Sequence, residues 1–351
     1  VLDALIPHWI EFRKSTSTLT MHLSTSYHRS RMDPASIIVD CDEHGRRTLK
    51  QVIHYRLEQE RAVYLRNTGM KSLKEMAEWA RFVGIEQMAY EGGTGSRFDM
   101  GDGVLSVGTE PAHTNIDPHS EMAYWRYYPR HIMFGCELAP ASGGETVIAS
   151  NERVTAAIKN SETGRKIFET GIRYIRNFSD GDRQDSTPST TTWQHEFASD
   201  DWSSVESRCA ELGWQLERRK DGSAKISWLE QGFEFDPRTG NHLFFTSMAR
   251  LGRAFDEWPP FNTLDNEDRP YHVTYADGSQ FAENDLIDLD NAFSSYTIPC
   301  RWQPGDIAIL ENIAWTHSRP PYHLAPGEQR KIGILVSNHT PRLRQQSQTF
   351  Q

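Results

Sequence analysis

His119 and Glu121 stand two residues apart at the head of the stretch Pro118–Thr146, and they constrain this chain more than any other feature. On an extended strand, alternate side chains share a face, so both can grip one ion. The same stretch closes on Gly143-Gly144-Glu145-Thr146. Paired glycines let backbone come close to a ligand, and a threonine hydroxyl can bond to it. A second histidine is then needed from elsewhere, and the late segment Glu311-Asn312-Ile313-Ala314-Trp315-Thr316-His317-Ser318-Arg319 offers His317.

The pair alone is a weak signal. With 14 histidines and 48 acidic residues in 351 positions, random order gives about two such spacings, and the chain contains one. Its weight comes from its company: His317 on a late strand, the basic Arg330 just before an apolar strand, and the Gly-Gly-x-Thr turn. Two neutral imidazoles and one carboxylate leave about three open positions on a metal, which suits oxygen-activating ferrous iron. A zinc hydrolase would close a tetrahedron and need a separate base. His113, six residues before His119, is the rival ligand on an even spacing.

Around this centre the chain reads as short strands with turns. Strands are expected at Ser36–Cys41, Val104–Thr109, Ala123–Trp125, His131–Ala139, Glu145–Ser150, Gly171–Asn177, Ile307–Leu310 and Arg330–Val336. Helices are expected at Lys50–Arg66, Ser72–Val83 (with Ser72 and Glu75 as a capping box and Gly84 as the stop), Asn151–Ile167, Trp202–Leu212 and Glu283–Tyr296. Many short strands with a few flanking helices predict a mainly β fold, a double-stranded β-helix or jelly roll. One domain is expected over residues 1–351, with a polar N-terminal extension to about residue 50 and a lid loop, rich in Ser, Thr, Asp and Gly, over about 178–192.

Charge and apolar patterning narrow the partners. A net charge of −10, with both signs mixed along the chain, leaves no electrostatic footprint for nucleic acid or an anionic membrane. No apolar run reaches the roughly 18 residues of a membrane helix. Cys41, Cys136, Cys209 and Cys300 are scattered without a CxxC pair, which fits reduced structural thiols and a cytoplasmic setting.

From about Ser72 to Val336 the chain resembles the iron(II)/2-oxoglutarate oxygenases of the taurine dioxygenase and clavaminate synthase superfamily. More narrowly, it is similar to the syringomycin-type amino-acid hydroxylases of nonribosomal peptide pathways. The resemblance rests on the Tyr90–Arg97 loop, His119-Ser120-Glu121-Met122, Phe134-Gly135-Cys136, Gly143-Gly144-Glu145-Thr146, Arg173-Tyr174-Ile175-Arg176-Asn177, Trp193-Gln194, Tyr275-Ala276-Asp277-Gly278, Trp302-Gln303-Pro304-Gly305-Asp306, and His317-Ser318-Arg319 with Arg330. The order along the chain also matches.

By that resemblance, His119, Glu121 and His317 hold Fe(II), and 2-oxoglutarate and O2 are the co-substrates. Arg330 pairs with the distal carboxylate of 2-oxoglutarate, with a bond from Thr146, while Lys331 points the other way. The implied substrate is an amino acid or a related small molecule, free or tethered to a carrier protein, with Arg97 and Asn115 as its polar contacts. The implied chemistry is hydrogen abstraction from an unactivated C–H bond ending in hydroxylation, with desaturation or ring closure as the alternatives. A metal-binding jelly roll without turnover is a further alternative, against which Arg330 and Thr146 speak. Glu121 replaces the aspartate common in the superfamily and argues against halogenation, which needs a small residue there. Glu311 and Ser318 replace the usual neighbours of the distal histidine. The oligomeric state is not readable from the residues.

Overall fold

Ala62, Val63, Tyr64 and Leu65 are all buried in the computed structural model, which describes residues 34–88, 90, 97–108, 110–337 and 339–343. A helix cannot bury four consecutive side chains on one stripe, whereas a strand covered on both faces buries all of them. The expected helix from Lys50 to Arg66 is accordingly split. Strand β1 (Ile38–Asp40) leads to helix α1 (Arg46–Gln59), the chain turns at Arg61 with φ 58°, and Ala62–Arg66 forms β2. β1 and β2 pair in parallel.

After helix α2 (Met76–Val83) come β3 (Asp99–Gly101), β4 (Val104–Ser106), β5 (Ile116–His119), β6 (Tyr127–Pro129), β7 (His131–Leu138) and β8 (Thr146–Ser150). Helices α3 (Asn151–Ile158) and α4 (Glu162–Thr170) precede β9 (Ile172–Phe178), and α5 (Trp193–Phe197) and α6 (Trp202–Leu212) precede β10 (Gln215–Arg218). Then follow β11 (Ala224–Glu230), β12 (Phe233–Asp236), β13 (Asn241–Phe244), β14 (Tyr271–Tyr275), α7 (Glu283–Ser294) and β15 (Thr297–Cys300). The last strands are β16 (Ile307–Glu311), β17 (Trp315–Arg319), β18 (Lys331–Val336) and β19 (His339–Pro341). The described chain is thus mainly β with flanking helices, as expected. Among its residues no helix is long and apolar enough to cross a membrane.

Two sheets carry the argument. The larger runs β1-β2-β16-β7-β18-β4-β3 and the smaller β15-β8-β17-β5. Along β7 the side chains alternate: Ile132, Phe134 and Cys136 join a layer with Ile148 of β8, Ile298 of β15 and Trp315 of β17, so this layer is shared by the two sheets. Met133 points the other way, into a layer with Leu49 and Ile53 of α1 and Met76 and Ala80 of α2. This period of two makes β7 a strand with two apolar faces. A third core gathers β9, β11 and helices α3, α4, α6 and α7. The polar segment 178–192 is tied to the turn before β11, where Asp221 accepts from the Thr187 amide at 2.7 Å and its hydroxyl at 2.6 Å.

Local chemistry sets the helix ends. Gly84 closes α2 in the left-handed region at φ 88°, as its sequence position predicts. Ser72 makes no capping bond to backbone; its hydroxyl meets Glu75 at 3.2 Å, and a 3-10 turn over Leu73–Glu75 precedes α2. The helix expected over Asn151–Ile167 is two helices, because Ser161 caps a new start by accepting from the Gly164 amide at 3.0 Å. At Gly164 a Cβ would lie 2.1 Å from the Ile158 carbonyl oxygen. Gly164→Ala is therefore expected to destabilise the fold by about 1–3 kcal/mol, read as a lower denaturant midpoint at unchanged slope. An unaltered midpoint would mean that α4 shifts freely against α3.

Candidate active site

β5 and β17 lie side by side in the smaller sheet, and His119 and His317 are direct cross-strand partners. Their ring centroids are 4.1 Å apart. The register shifts between His317 and Arg319, an irregularity of the kind that re-aims side chains next to functional sites. β5 ends at His119, so Glu121 lies in the turn beyond it rather than on the strand. The backbone stays tethered there, since the Ser120 amide donates to the Thr246 carbonyl at 2.8 Å.

Glu121 is fixed by an amide that reads its backbone in both directions. Asn312 Oδ1 accepts from the Glu121 amide at 2.8 Å, and Asn312 Nδ2 donates to the Glu121 carbonyl at 2.8 Å. Met122 follows at φ 57° and is fully buried, a conformation costly for a side chain with a Cβ. Together they turn the Glu121 carboxylate back toward the histidines. One ligand atom from each of His119, Glu121 and His317 lies within 4.8 Å of the others, and His317 Nε2 is 3.6 Å from Glu121 Oε2. His113 is not in this group; it is exposed, with its ring 3.4 Å from the Glu257 carbonyl.

The electrostatics suit a divalent metal. Burial pushes the His119 pKa down to about 3, with His317 adding to the shift, so His119 is neutral. Burial alone would raise the pKa of Glu121, but Arg97, His317 and His119 outweigh it and keep the carboxyl ionised. His119 Nδ1 lies 2.9 Å from the Asp117 carbonyl. An Nδ1–H donated there leaves Nε2 as the ligand atom, an orientation common to metal-bound histidines. Two imidazole nitrogens and one carboxylate oxygen, all within 4.8 Å of one another, form a donor set that fits ferrous iron.

Two further groups address Glu121. The Tyr90 hydroxyl donates to Oε1 at 2.5 Å, and Arg97 Nη2 lies 3.4 Å from each oxygen with its guanidinium 4.6 Å from the Tyr90 ring centroid. Tyr90 belongs to the glycine-rich loop of the sequence, whose residues 91–96 lie outside the described set. Asn115 is engaged elsewhere, donating to Asp117 at 2.6 Å, while Asp117 pairs with Arg253 at 2.8 Å. Arg176 is likewise committed, to Glu196 through two bonds of 2.5 and 2.9 Å.

Thr146 opens β8, and Arg330 immediately precedes β18. Arg330 Nε donates to the Gly144 carbonyl at 2.8 Å, and the guanidinium sits 5.5 Å from the centre of the Tyr322 ring. Its two terminal nitrogens make no hydrogen bond or ion pair with any described residue. Burial, with Arg319 nearby, lowers its pKa to about 10, which leaves it cationic at neutral pH. Lys331 points away as expected, pairing with Glu137 at 2.7 Å. A Cβ on Gly144 would lie 3.0 Å from Arg330 Cδ, so glycine there admits the arginine.

Sequence reasoning passed over Tyr90, Asn312 and Trp302 as site residues. Asn312 stands in the turn between β16 and β17, close before His317, and that proximity is the one signal the sequence carries for it.

Comparison with known proteins places the chain in a family. The family pattern described as taurine catabolism dioxygenase TauD, TfdA family matches residues 26–335. A clavaminate synthase-like protein of Arabidopsis thaliana is 28% identical over 282 residues, covering 78% of this chain and 83% of the relative. The dapdiamide synthesis protein DdaC of Enterobacter agglomerans is 27% identical over 258 residues, covering 72% and 76%. Among solved structures, the PvcB protein of Pseudomonas aeruginosa superposes with a TM-score of 0.46 at 15% identity, over 84% of this chain and 82% of that one. A taurine dioxygenase from Burkholderia xenovorans does so with a TM-score of 0.45 at 12% identity, over 85% and 86%. A match that runs through nearly all the described strands leaves one conclusion: the chain belongs to the TauD/TfdA family and is an iron(II)- and 2-oxoglutarate-dependent dioxygenase.

Proposed function

We propose that His119, Glu121 and His317 hold the iron, that Arg330 and Thr146 receive the distal carboxylate of 2-oxoglutarate, and that the enzyme hydroxylates an amino acid or an amino-acid-derived small molecule. When bound, the iron and its co-substrate supply the power to take hydrogen from an unactivated C–H bond. The protein's own residues supply position. On this reading the two sheets that share an apolar layer are the halves of a jelly roll, and the metal ligands sit at one end of the smaller half.

The observation that carries the proposal is Arg330. A part-buried guanidinium whose terminal nitrogens make no hydrogen bond with a described residue is available to receive a carboxylate through two bonds. Arg97 is the better-placed substrate contact, because it borders Glu121 while Asn115 is occupied by Asp117. It would meet the carboxylate of an amino-acid-like substrate. The similarity to a dapdiamide synthesis protein supports a place in natural-product biosynthesis.

The test is an anaerobic titration with ferrous iron and 2-oxoglutarate, following the visible charge-transfer absorbance of a chelated keto acid. Arg330→Ala is expected to raise the apparent Kd for 2-oxoglutarate roughly 10- to 100-fold, the worth of a charged hydrogen-bonded pair, with iron binding retained. Equal affinity in the variant would remove Arg330 from the site. Screening amino acids for accelerated succinate formation then identifies the substrate class. A product heavier by one oxygen supports hydroxylation, whereas one lighter by two hydrogens replaces it with desaturation or ring closure.

A further inference from the structure

We infer that Trp302 is a positioning residue for the co-substrate, acting through Thr146 to direct its hydroxyl proton into the carboxylate receptor. The inference rests on the reading that Thr146 and Arg330 meet the distal carboxylate of 2-oxoglutarate. Trp302 follows β15, whose last residue, Cys300, is the cross-strand partner of Thr146. Both side chains are buried, and Trp302 Nε1 donates to Thr146 Oγ1 at 3.2 Å. Trp302 is held in turn by the Tyr64 ring, 5.4 Å away between centroids, and Tyr64 is anchored through its hydroxyl to Asp306 at 2.7 Å and the Arg301 carbonyl at 2.8 Å.

A hydroxyl can donate one hydrogen bond and accept two, whereas an indole N–H can only donate. Thr146 therefore cannot give its proton to Trp302, and one of its lone pairs is already spent. Its hydroxyl proton has no acceptor among the described residues. In a buried site, that proton must be given to a ligand or left unsatisfied. Arg330 likewise offers only donors. A carboxylate oxygen can accept from both. Because the Trp302 N–H accepts nothing, it leaves the Thr146 proton to turn toward that oxygen, so Trp302 orients the hydroxyl without touching the co-substrate.

The experiment is a double-mutant cycle on the Mn(II)-loaded full chain, with N-oxalylglycine as probe and calorimetric Kd as readout. Trp302→Phe is expected to weaken binding roughly five- to tenfold. In the Thr146→Val background the same change is expected to have less than about a twofold effect, and in the Thr146→Ser background the full effect returns. Equal losses in all three backgrounds would overturn the inference and leave Trp302 as packing only. Should Arg330→Ala and Thr146→Val both bind the probe normally, the carboxylate receptor itself is misassigned, a separate failure. If Trp302→Phe does not fold, the indole 15N–1H resonance of Trp302 serves instead. It should shift on Thr146→Val and on adding N-oxalylglycine to the otherwise unaltered protein, and an unmoved resonance would overturn the inference.

Discussion

Glu121→Ala, titrated anaerobically with ferrous iron, is expected to lose affinity by at least about 100-fold and to form no succinate from 2-oxoglutarate. The variant removes the only carboxylate among the three clustered ligands. It also leaves Arg97 and the Tyr90 hydroxyl facing two imidazoles, so the pocket changes from one that favours a cation to one that repels it. The fold should survive, because Asn312 holds the backbone of Glu121 and not its side chain. Circular dichroism and the unfolding midpoint check that separation. His113→Ala is the control, an exposed histidine outside the cluster, and should bind iron as before. Retention of iron in Glu121→Ala, or its loss in His113→Ala, would refute the ligand set.

Arg342→Ala is expected to give the largest loss of stability of any single change considered, about 3–5 kcal/mol. Arg342 and Glu234 pair at 2.8 Å with side chains 2% and 1% exposed. The guanidinium also donates to the Ala123 and Gln231 carbonyls, and the other Glu234 oxygen accepts from the Leu343 amide at 2.9 Å. Removing the arginine strands a buried carboxylate and two buried carbonyls. The double change Arg342→Met with Glu234→Gln should recover part of the loss, because it removes both charges and keeps most of the volume. A denaturant midpoint for Arg342→Ala within about 1 kcal/mol of the parent would show that water reaches the pair.

The sequence made some of this legible for clear reasons. The His119–Glu121 spacing pointed to a shared strand face, but β5 ends at His119, and it is the turn with Met122 at φ 57° that brings the Glu121 carboxylate near the two imidazoles. Runs such as His131–Leu138 and Lys331–Val336 were readable because buried strands need unbroken apolar stretches. Ala123–Trp125 misled, since its aromatic residues resemble a strand. The positive φ at Met122 instead starts a turn, whose Tyr124 carbonyl accepts the Trp228 indole at 2.7 Å. For Asn115, proximity in sequence to His119 does not reveal that Asp117 accepts a hydrogen bond from its amide. The contacts of Asn312 and Trp302 were not readable, because each is made with a residue far away in sequence that only the fold brings close.

On the proposed ligand set, the direct pairing of His119 with His317 also sets when the metal centre can exist during folding. The two strands come from distant parts of the chain, and the loop between them must close before either imidazole finds the other. A nascent chain emerging from the ribosome therefore carries only half the site until its final strands are made. A fragment ending before β17 has no competent centre, and iron capture should mark the completion of folding rather than guide its early steps.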